Sequence, residues 1–170
     1  CCADYHSDVT RMQSALTALG YPNALTVDIM QMVRMVEDGK EVKMSKRTGN
    51  AITIRELCED VGVDAARWFF VSKDVATHMD FDMKLARSKD NNNPVFYAQY
   101  AYSRMNSIMN NPQISAFKQI EKYDRLTDEK ELQLMKLISE FPTEVAGAAA
   151  TRKPNKITEY IISLVKIYHR

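Results

Sequence analysis

The sequence predicts a mainly α-helical protein with a small β element in its first half. Three observations support this fold class. Residues 27–36 are an apolar run with β-branched side chains, and an Asp-Gly pair follows the run, which is typical of a strand and a tight hairpin turn. Thr53 and Glu56 have the spacing of a helix-capping box. From residue 91 onward, apolar residues recur at helical intervals between proline-containing breaks.

The first half is expected to alternate between the β element and short helices. We predict a mostly buried strand from Val27 to Val36 and a short return strand over residues 41–43. A helix should begin at Ile54 and stop at Gly62. Asp64 is expected to cap the next helix, whose aromatic residues should join the core. Those aromatic residues are Trp68, Phe69 and Phe70.

The second half is predicted to be a small helical bundle. Pro94 should occupy the first position of a helix that runs to about Asn110, and residues 113–122 form either a short helix or an insertion. Thr127 is expected to cap a helix that ends at Pro142, and residues 143–150 to form a separate short helix. Pro154 should open the last helix. The predicted boundary between the two halves lies at residues 90–91.

Composition narrows the class of protein. The 170 residues carry a net charge of +1 and contain no apolar run near the ~20 residues that a membrane helix needs, so we expect a soluble, cytoplasmic protein. Three cysteines, two of them adjacent, predict neither a disulfide framework nor a structural metal site. Residues 1–90 contain 12 Lys/Arg and 14 Asp/Glu, whereas residues 91–170 contain 11 and 8, so the second half is the more basic.

A short basic loop is the clearest candidate functional segment. Lys43, Ser45, Lys46 and Arg47 place two ammonium groups, a hydroxyl and a guanidinium on one loop, which is suited to a polyphosphate. Such a string by itself fits a solvated surface loop equally well. The phosphate interpretation is favoured because the loop lies between a predicted hairpin and a capped helix, where a phosphate-binding loop can be anchored.

Four ordered segments resemble one enzyme family. Lys43-Met44-Ser45-Lys46 is similar to the lysine signature of class I aminoacyl-tRNA synthetases, and the surrounding segments resemble arginyl-tRNA synthetase in particular. The segments are Ala3-Asp4-Tyr5-His6, Gln31-Met32-Val33, residues 61–70, and Asp80-Phe81-Asp82 continuing to residues 93–97. The resemblance implies the end of a Rossmann-like nucleotide-binding catalytic domain over residues 1–90. It implies the start of a helical anticodon-binding domain over residues 91–170.

The resemblance also implies a chemistry. Enzymes of this family activate arginine with ATP, release pyrophosphate, and transfer the arginine to tRNA. By similarity, Lys46 stabilises the charge that develops on the phosphates, Lys43 assists, and Met44 and Ser45 belong to the ATP-binding loop. Mg²⁺ is expected to accompany ATP, and no structural metal is expected.

Further site residues follow from matched positions. Asp4 and His6 correspond to a segment that ends a strand beside adenosine, and Met32 and Val33 to a strand whose backbone meets adenine while the side chains are core. The candidate tRNA-binding residues are Tyr97, Tyr100, Arg104, Lys156 and His169. Basic helices with interleaved tyrosines suit single-stranded RNA, but lysine-rich outer faces of ordinary amphipathic helices give the same pattern.

Length leads to a further expectation. The family's first phosphate-binding element has no counterpart here, so we expect a fragment that is inactive by itself. Apolar strand residues such as Met30 and Met32 should then be uncovered, which predicts either a dimer through that strand or disorder of residues 1–25. Two alternatives remain open. One is a fragment of a cysteine- or methionine-type synthetase, and the other is a helical RNA- or protein-binding adaptor without chemistry.

Overall fold

The computed structural model describes residues 3–42, 52–115 and 122–169. A three-stranded sheet and the helices beside it form an α/β unit, and the helices after residue 90 form a helical unit. The strands are β1 (Val33–Glu37), β2 (Lys40–Glu41) and β3 (Met79–Asp82). The helices of the α/β unit are a 3₁₀ turn (Ala3–Tyr5), α1 (His6–Ala18), α2 (Ile54–Val61), α3 (Val63–Val71) and α4 (Met83–Arg87). Those of the helical unit are α5 (Pro94–Met109), α6 (Pro112–Ser115), α7 (Glu129–Thr151) and α8 (Asn155–Tyr168). The mainly helical class with a small β element is confirmed.

The sheet has the order β2-β1-β3. The predicted hairpin is confirmed: β1 and β2 are antiparallel, and Asp38 (φ 49°) and Gly39 (φ 75°) supply the two left-handed positions of its turn. The predicted strand from Val27 was too long, because β1 begins at Val33, where its parallel pairing with β3 starts. Before that point Met30 forms an isolated β-bridge, and residues 27–32, all of them described, contain no strand. Met30 and Met32 are 52% and 64% exposed, as expected for uncovered apolar positions.

The core of the α/β unit centres on Phe81. This ring is fully buried, and its centroid lies 5.3 Å from that of Phe69 and 5.4 Å from that of Phe70. The predicted contribution of the α3 aromatic residues to the core is therefore confirmed. Asp64 is not the N-cap of α3, because Gly62 ends α2 and begins α3 at once, and Asp64 falls inside the first turn.

The capping box at α2 is confirmed in both directions. The Glu56 amide donates to Thr53 Oγ1 at 3.2 Å, and the Thr53 amide donates to Glu56 Oε2 at 2.7 Å. The hydrogen bond from the Thr53 amide, followed by one from the Thr53 hydroxyl to Glu56 Oε2 at 2.8 Å, holds the pKa of Glu56 below its usual range. The helix stops at Gly62 as predicted, so the entry and the exit of α2 are both encoded locally.

The described part of the helical unit differs from the prediction in one helix, and most of the predicted segment 113–122 lies outside the described residues. Helix α5 begins at Pro94 after an Asn93 cap and ends before Asn110, as expected. Helix α7 is one continuous helix that contains Pro142, not two helices, and its N-cap is Asp128 rather than Thr127. The side chain of Asp128 accepts a hydrogen bond from the Lys130 amide at 2.8 Å. Pro142 is exposed and lacks the amide donor of one helical hydrogen bond. The 23-residue helix continues through it despite this loss.

Helix α8 packs between α7, α5 and the α/β unit. Tyr160 Oη donates to the Leu137 carbonyl of α7 at 3.0 Å, and the Tyr160 ring lies 5.3 Å from that of Phe141. Burial raises the pKa of Tyr160. Helix α8 also contacts α3 and so connects the helical unit to the α/β unit. Within the described ranges, no helix combines the length and the apolar character needed to cross a membrane.

Candidate functional site

The predicted lysine loop, with Lys43, Met44, Ser45 and Lys46, lies outside the described residues, but both of its flanks are described. On one side the Val42 amide donates to the Met35 carbonyl at 2.8 Å, which returns the chain to the sheet. On the other side the Thr53 capping box starts α2. Arg87 of α4 then ties the two flanking elements together.

Arg87 forms ion pairs with both flanking elements. Its guanidinium binds Asp60 of α2, with Nε 2.8 Å from Oδ1, and it also binds Glu37 at the hairpin. The hydrogen bond from Arg87 holds the pKa of Asp60 below its usual range. The hairpin and α2 are thus fixed relative to each other, so the two ends of the segment between them have defined positions.

The other predicted ATP-site residues lie in the 3₁₀ turn, at the start of α1 and at the start of β1. Asp4 lies in the 3₁₀ turn and His6 is the first residue of α1, so neither stands at the end of a described strand. Met32 precedes β1 and is exposed, which contradicts the expectation that its side chain is core. Val33 begins β1 and packs against the core, as expected. Helix α1, which the structure describes completely, contains no buried residue.

Four of the five predicted tRNA-binding residues come together where α5 meets the end of α8. We call this region the aromatic surface, and it consists of Tyr97, Tyr100, Arg104, Tyr168 and His169. The His169 ring centroid lies 5.2 Å from Tyr97, 6.0 Å from Tyr100 and 5.3 Å from Tyr168. The Arg104 guanidinium carbon lies 5.8 Å from the centroid of the Tyr100 ring. Residues from opposite ends of the helical unit therefore form one surface.

The aromatic surface combines flat rings with a permanent cation. Tyr100 is 44% exposed and Arg104 is also exposed, so a planar ligand group and an anion can both reach this surface. Aromatic rings stack with unpaired bases, and an arginine beside them can bind phosphate. His169 contributes an inner ring whose Nε2 is buried and lacks a hydrogen-bond partner among the described residues. The arrangement is suited to single-stranded RNA.

Lys156 is separate from the aromatic surface. It lies in the first turn of α8, thirteen residues before His169, which corresponds to ~20 Å along a helix. Its ammonium group lies beside α7, since a Cβ built on Gly147 would be 3.8 Å from Lys156 Nζ. Sequence reasoning did not single out Arg152 and Lys153, which form ion pairs with the α/β unit. No local pattern identifies partners that are so distant in sequence.

Comparison with known proteins first defines a class for the helical unit. Residues 98–170 match the DALR anticodon binding domain, so the aromatic surface lies almost entirely within a segment related to domains that bind tRNA anticodons. Tyr97 is one residue outside the matched range. The helical unit thus resembles DALR anticodon binding domains.

The whole chain resembles a particular ligase. It is 46% identical over 171 residues to an arginine-tRNA ligase of Geobacillus thermodenitrificans, covering 98% of this chain and 31% of that protein. It is also 46% identical to one of Listeria monocytogenes, covering 99% and 31%. A crystal structure assigned to an arginyl-tRNA synthetase of Campylobacter jejuni superposes with a TM-score of 0.86 at 29% identity, covering 99% of this chain and 37% of that chain. The chain is similar to arginine-tRNA ligases along nearly its whole length and spans about a third of theirs, so the predicted resemblance is confirmed.

Proposed function

We propose that this chain acts as the part of an arginine-tRNA ligase that joins the ATP-binding lysine loop to the anticodon-binding bundle. The observation that carries the proposal is the 46% identity to arginine-tRNA ligases along 98% of the chain. Because those relatives are about three times as long, the segment is expected to work within a longer protein and to be inactive alone. The named relatives favour arginine over a cysteine- or methionine-type synthetase.

The α/β unit would serve arginine activation. Lys46, with Lys43, would stabilise the negative charge that builds up as pyrophosphate leaves, and Met44 and Ser45 would complete the loop. Asp4, His6, Met32 and Val33 would line the adenosine side, the last two through their backbone. Mg²⁺ would enter with ATP and neutralise phosphate charge. Phosphate oxygens of ATP are its expected ligands.

The helical unit would bind tRNA through the aromatic surface. An unpaired base would stack on the exposed Tyr100 ring, and Arg104 would contact a neighbouring phosphate. His169 and Tyr97 would support the Tyr100 ring from beneath, since their rings pack against each other. Lys156 would contact a different stretch of backbone, because it lies at the other end of α8.

Binding of tRNA specific for arginine to this chain tests the RNA half of the proposal. Tyr100→Ala should weaken binding by roughly 5- to 100-fold, the effect of losing one base-stacking ring. Tyr102→Ala is the matched control, because Tyr102 lies on the same helix and is 70% exposed but is not part of the aromatic surface. Equal losses for the two variants, or none for either, would contradict the proposed role of the surface.

One observation favours the adaptor alternative as a second candidate. Helix α7 presents five apolar side chains that are between 41% and 55% exposed, and a protein partner could cover them. They are Leu132, Met135, Ile138, Phe141 and Val145. An adaptor would need no ATP, so arginine-dependent pyrophosphate exchange by a ligase that contains this segment distinguishes the two functions.

A further inference from the structure

The turn between α7 and α8 carries two basic residues that reach the α/β unit. Arg152 donates through Nη2 to Asp28 Oδ1 at 2.8 Å and through Nε to Asp28 Oδ2 at 3.1 Å. Lys153 Nζ lies 2.6 Å from Asp74 Oδ2. We call these contacts the interunit ion pairs. They connect adjacent residues of one turn to two separate segments of the other unit.

The backbone of the turn aims Arg152 at its partner. Arg152 is the C-cap of α7 and has left-handed dihedral angles, φ 52° and ψ 39°. Its amide donates to the Ala149 carbonyl at 3.1 Å, and the Lys153 amide donates to the Ala148 carbonyl at 2.9 Å. Glycine and asparagine adopt this conformation more readily than arginine. The arginine side chain thus provides an interunit contact at a position that helix capping alone would fill with a smaller residue.

The acidic partners lie close to the start of the sheet. Asp28 belongs to the segment that leads into β1, and Asp74 to the segment after α3. These two segments are joined two residues before β1, where the Gln31 amide donates to the Val75 carbonyl at 2.9 Å. A cavity of about 290 Å³ remains between them and the α7–α8 turn, so charge rather than close packing joins the units here.

Ion pairs as exposed as these contribute little to the stability of the fold, so their expected effect is on the orientation of the two units. The side chains of Arg152 and Asp28 are 56% and 54% exposed, and exposed ion pairs add little to the stability of a fold. A bidentate guanidinium-carboxylate pair nevertheless restricts direction strongly, and a second pair on the next residue restricts rotation about the first. Together they define how the turn lies on the α/β unit.

We propose that the interunit ion pairs are a positioning device, with Arg152 as the positioning residue, that sets the orientation of the helical unit against the segments leading into β1. The interunit ion pairs would then hold RNA bound at the aromatic surface at a fixed distance from the β1–β2 hairpin. Only this last statement rests on the proposed ligase function. Other contacts between the units, made by α5 and α8 on α3, fix one end of the arrangement. The interunit ion pairs fix the other.

Hydrogen exchange of this chain tests the proposal without RNA or ATP. Arg152→Asn removes the guanidinium and keeps a residue that tolerates left-handed angles, so α7 should remain capped. Exchange of the Gln31 amide should accelerate by about threefold, the scale of one exposed ion pair, while the urea midpoint of global unfolding stays unchanged. Asp28→Asn should give the same result from the opposite side. Arg125→Asn, an exposed arginine ahead of α7, is the control and should change neither.

A distance measurement tests orientation itself. Spin labels at Arg55→Cys in α2 and Lys136→Cys in α7, with the native cysteines changed to serine, should show a distance distribution that broadens in Arg152→Asn. The exchanged pair Asp28→Arg with Arg152→Asp should narrow it again. Unchanged distributions and exchange rates in both Asn variants would overturn the proposal. Because no ligand is involved, unchanged distances would contradict the positioning role without bearing on the proposed ligase function. A failure of ligase activity would likewise not bear on the positioning role.

Discussion

Single residues determine where the short helices of the α/β unit begin and end. Gly62 is the clearest case, because its φ of 85° and ψ of 150° lie in a region that side-chain-bearing residues rarely adopt. It closes α2 and opens α3 without an intervening loop. Asp64, which was predicted to be the cap, consequently lies inside the first turn of α3. Its carboxylate accepts a hydrogen bond from Gln99 at 2.9 Å.

Two glycine-to-alanine substitutions test whether Gly62 is needed for its backbone conformation. Gly62→Ala should lower the free energy of unfolding by about 1–3 kcal/mol, through backbone strain alone, since no atom lies within 4 Å of the added Cβ. Gly147→Ala in the middle of α7 should raise it by roughly 0.5–1 kcal/mol, because alanine loses less backbone entropy in a helix. Urea denaturation measures both. Equal effects of the two substitutions would show that the conformation of Gly62 is not what requires glycine.

Lys46 carries the residue-scale prediction for catalysis. In a ligase that contains this segment, Lys46→Ala should lower the rate of arginine activation by roughly 10²–10³, the effect of removing one stabiliser of transition-state charge. Arginine affinity should change much less. Lys40→Ala, at the exposed start of β2, is the matched control. A rate that stays within about threefold of the parent would assign the role to another group.

At the scale of elements, local signals were predictable and long-range ones were not. The Asp-Gly turn, the Thr53 capping box and the Pro94 start of α5 each depend on neighbouring residues, and all three were predicted correctly. The start of β1 depends on its pairing with β3, which is 46 residues away in the Arg34–Asp80 pair, and was placed too early. Four residues of the aromatic surface were predicted from the sequence, but their proximity was not, because it depends on the contact between α5 and α8.

Helix α7 shows how a breaker signal can be overridden. Pro142 predicted the end of one helix and the start of another, yet the capping box of Asp128 and Glu131 and the packing of α7 against α8 maintain a single helix. A proline in an exposed helical turn forfeits one hydrogen bond but need not end the helix. Tertiary contacts that hold both halves, such as Tyr160 against Leu137 and Phe141, were not visible in the sequence.

Removal of this proline should therefore stabilise the helix. Pro142→Ala restores the amide donor to the Ile138 carbonyl, and we expect the free energy of unfolding to rise by about 1–3 kcal/mol. Thr143→Ala at the adjacent exposed position serves as a control for helix propensity and should give no more than about 0.5 kcal/mol. A Pro142→Ala variant that is less stable than the parent would indicate that α7 requires the proline.

At the scale of the whole molecule, the two units are joined by packing of α5 and α8 on α3 and by the interunit ion pairs. The ion pairs should depend on pH. A hydrogen bond from Arg152 lowers the pKa of Asp28, and one from Lys153, followed by the Ala76 amide, lowers the pKa of Asp74. Because the folded-state pKa of each carboxyl lies below its unfolded value, the stabilisation is complete above the unfolded value and is lost as pH falls through the folded value.

We therefore expect the Asp28→Asn effect on Gln31 exchange to be present at neutral pH, to decline once pH falls below about 4, the ordinary range of an aspartate, and to disappear only below the lowered folded-state pKa of Asp28. Comparing the parent with the variant at each pH isolates this pair from Glu56 and Asp60, whose pKa values are also lowered. Hydrogen exchange corrected for the intrinsic pH dependence gives the difference. A parent-variant difference that persists undiminished at acid pH would exclude the carboxylate of Asp28 as its source.

The most direct test of the central claim is a replacement experiment. This chain takes the place of the matching third of the Geobacillus thermodenitrificans arginine-tRNA ligase, and ATP-pyrophosphate exchange is measured with arginine, cysteine and methionine in turn. The proposed function predicts exchange well above the blank with arginine alone, and its loss in the Lys46→Ala version. A folded chimera that shows no arginine-dependent exchange, or equal exchange with another amino acid, would contradict it.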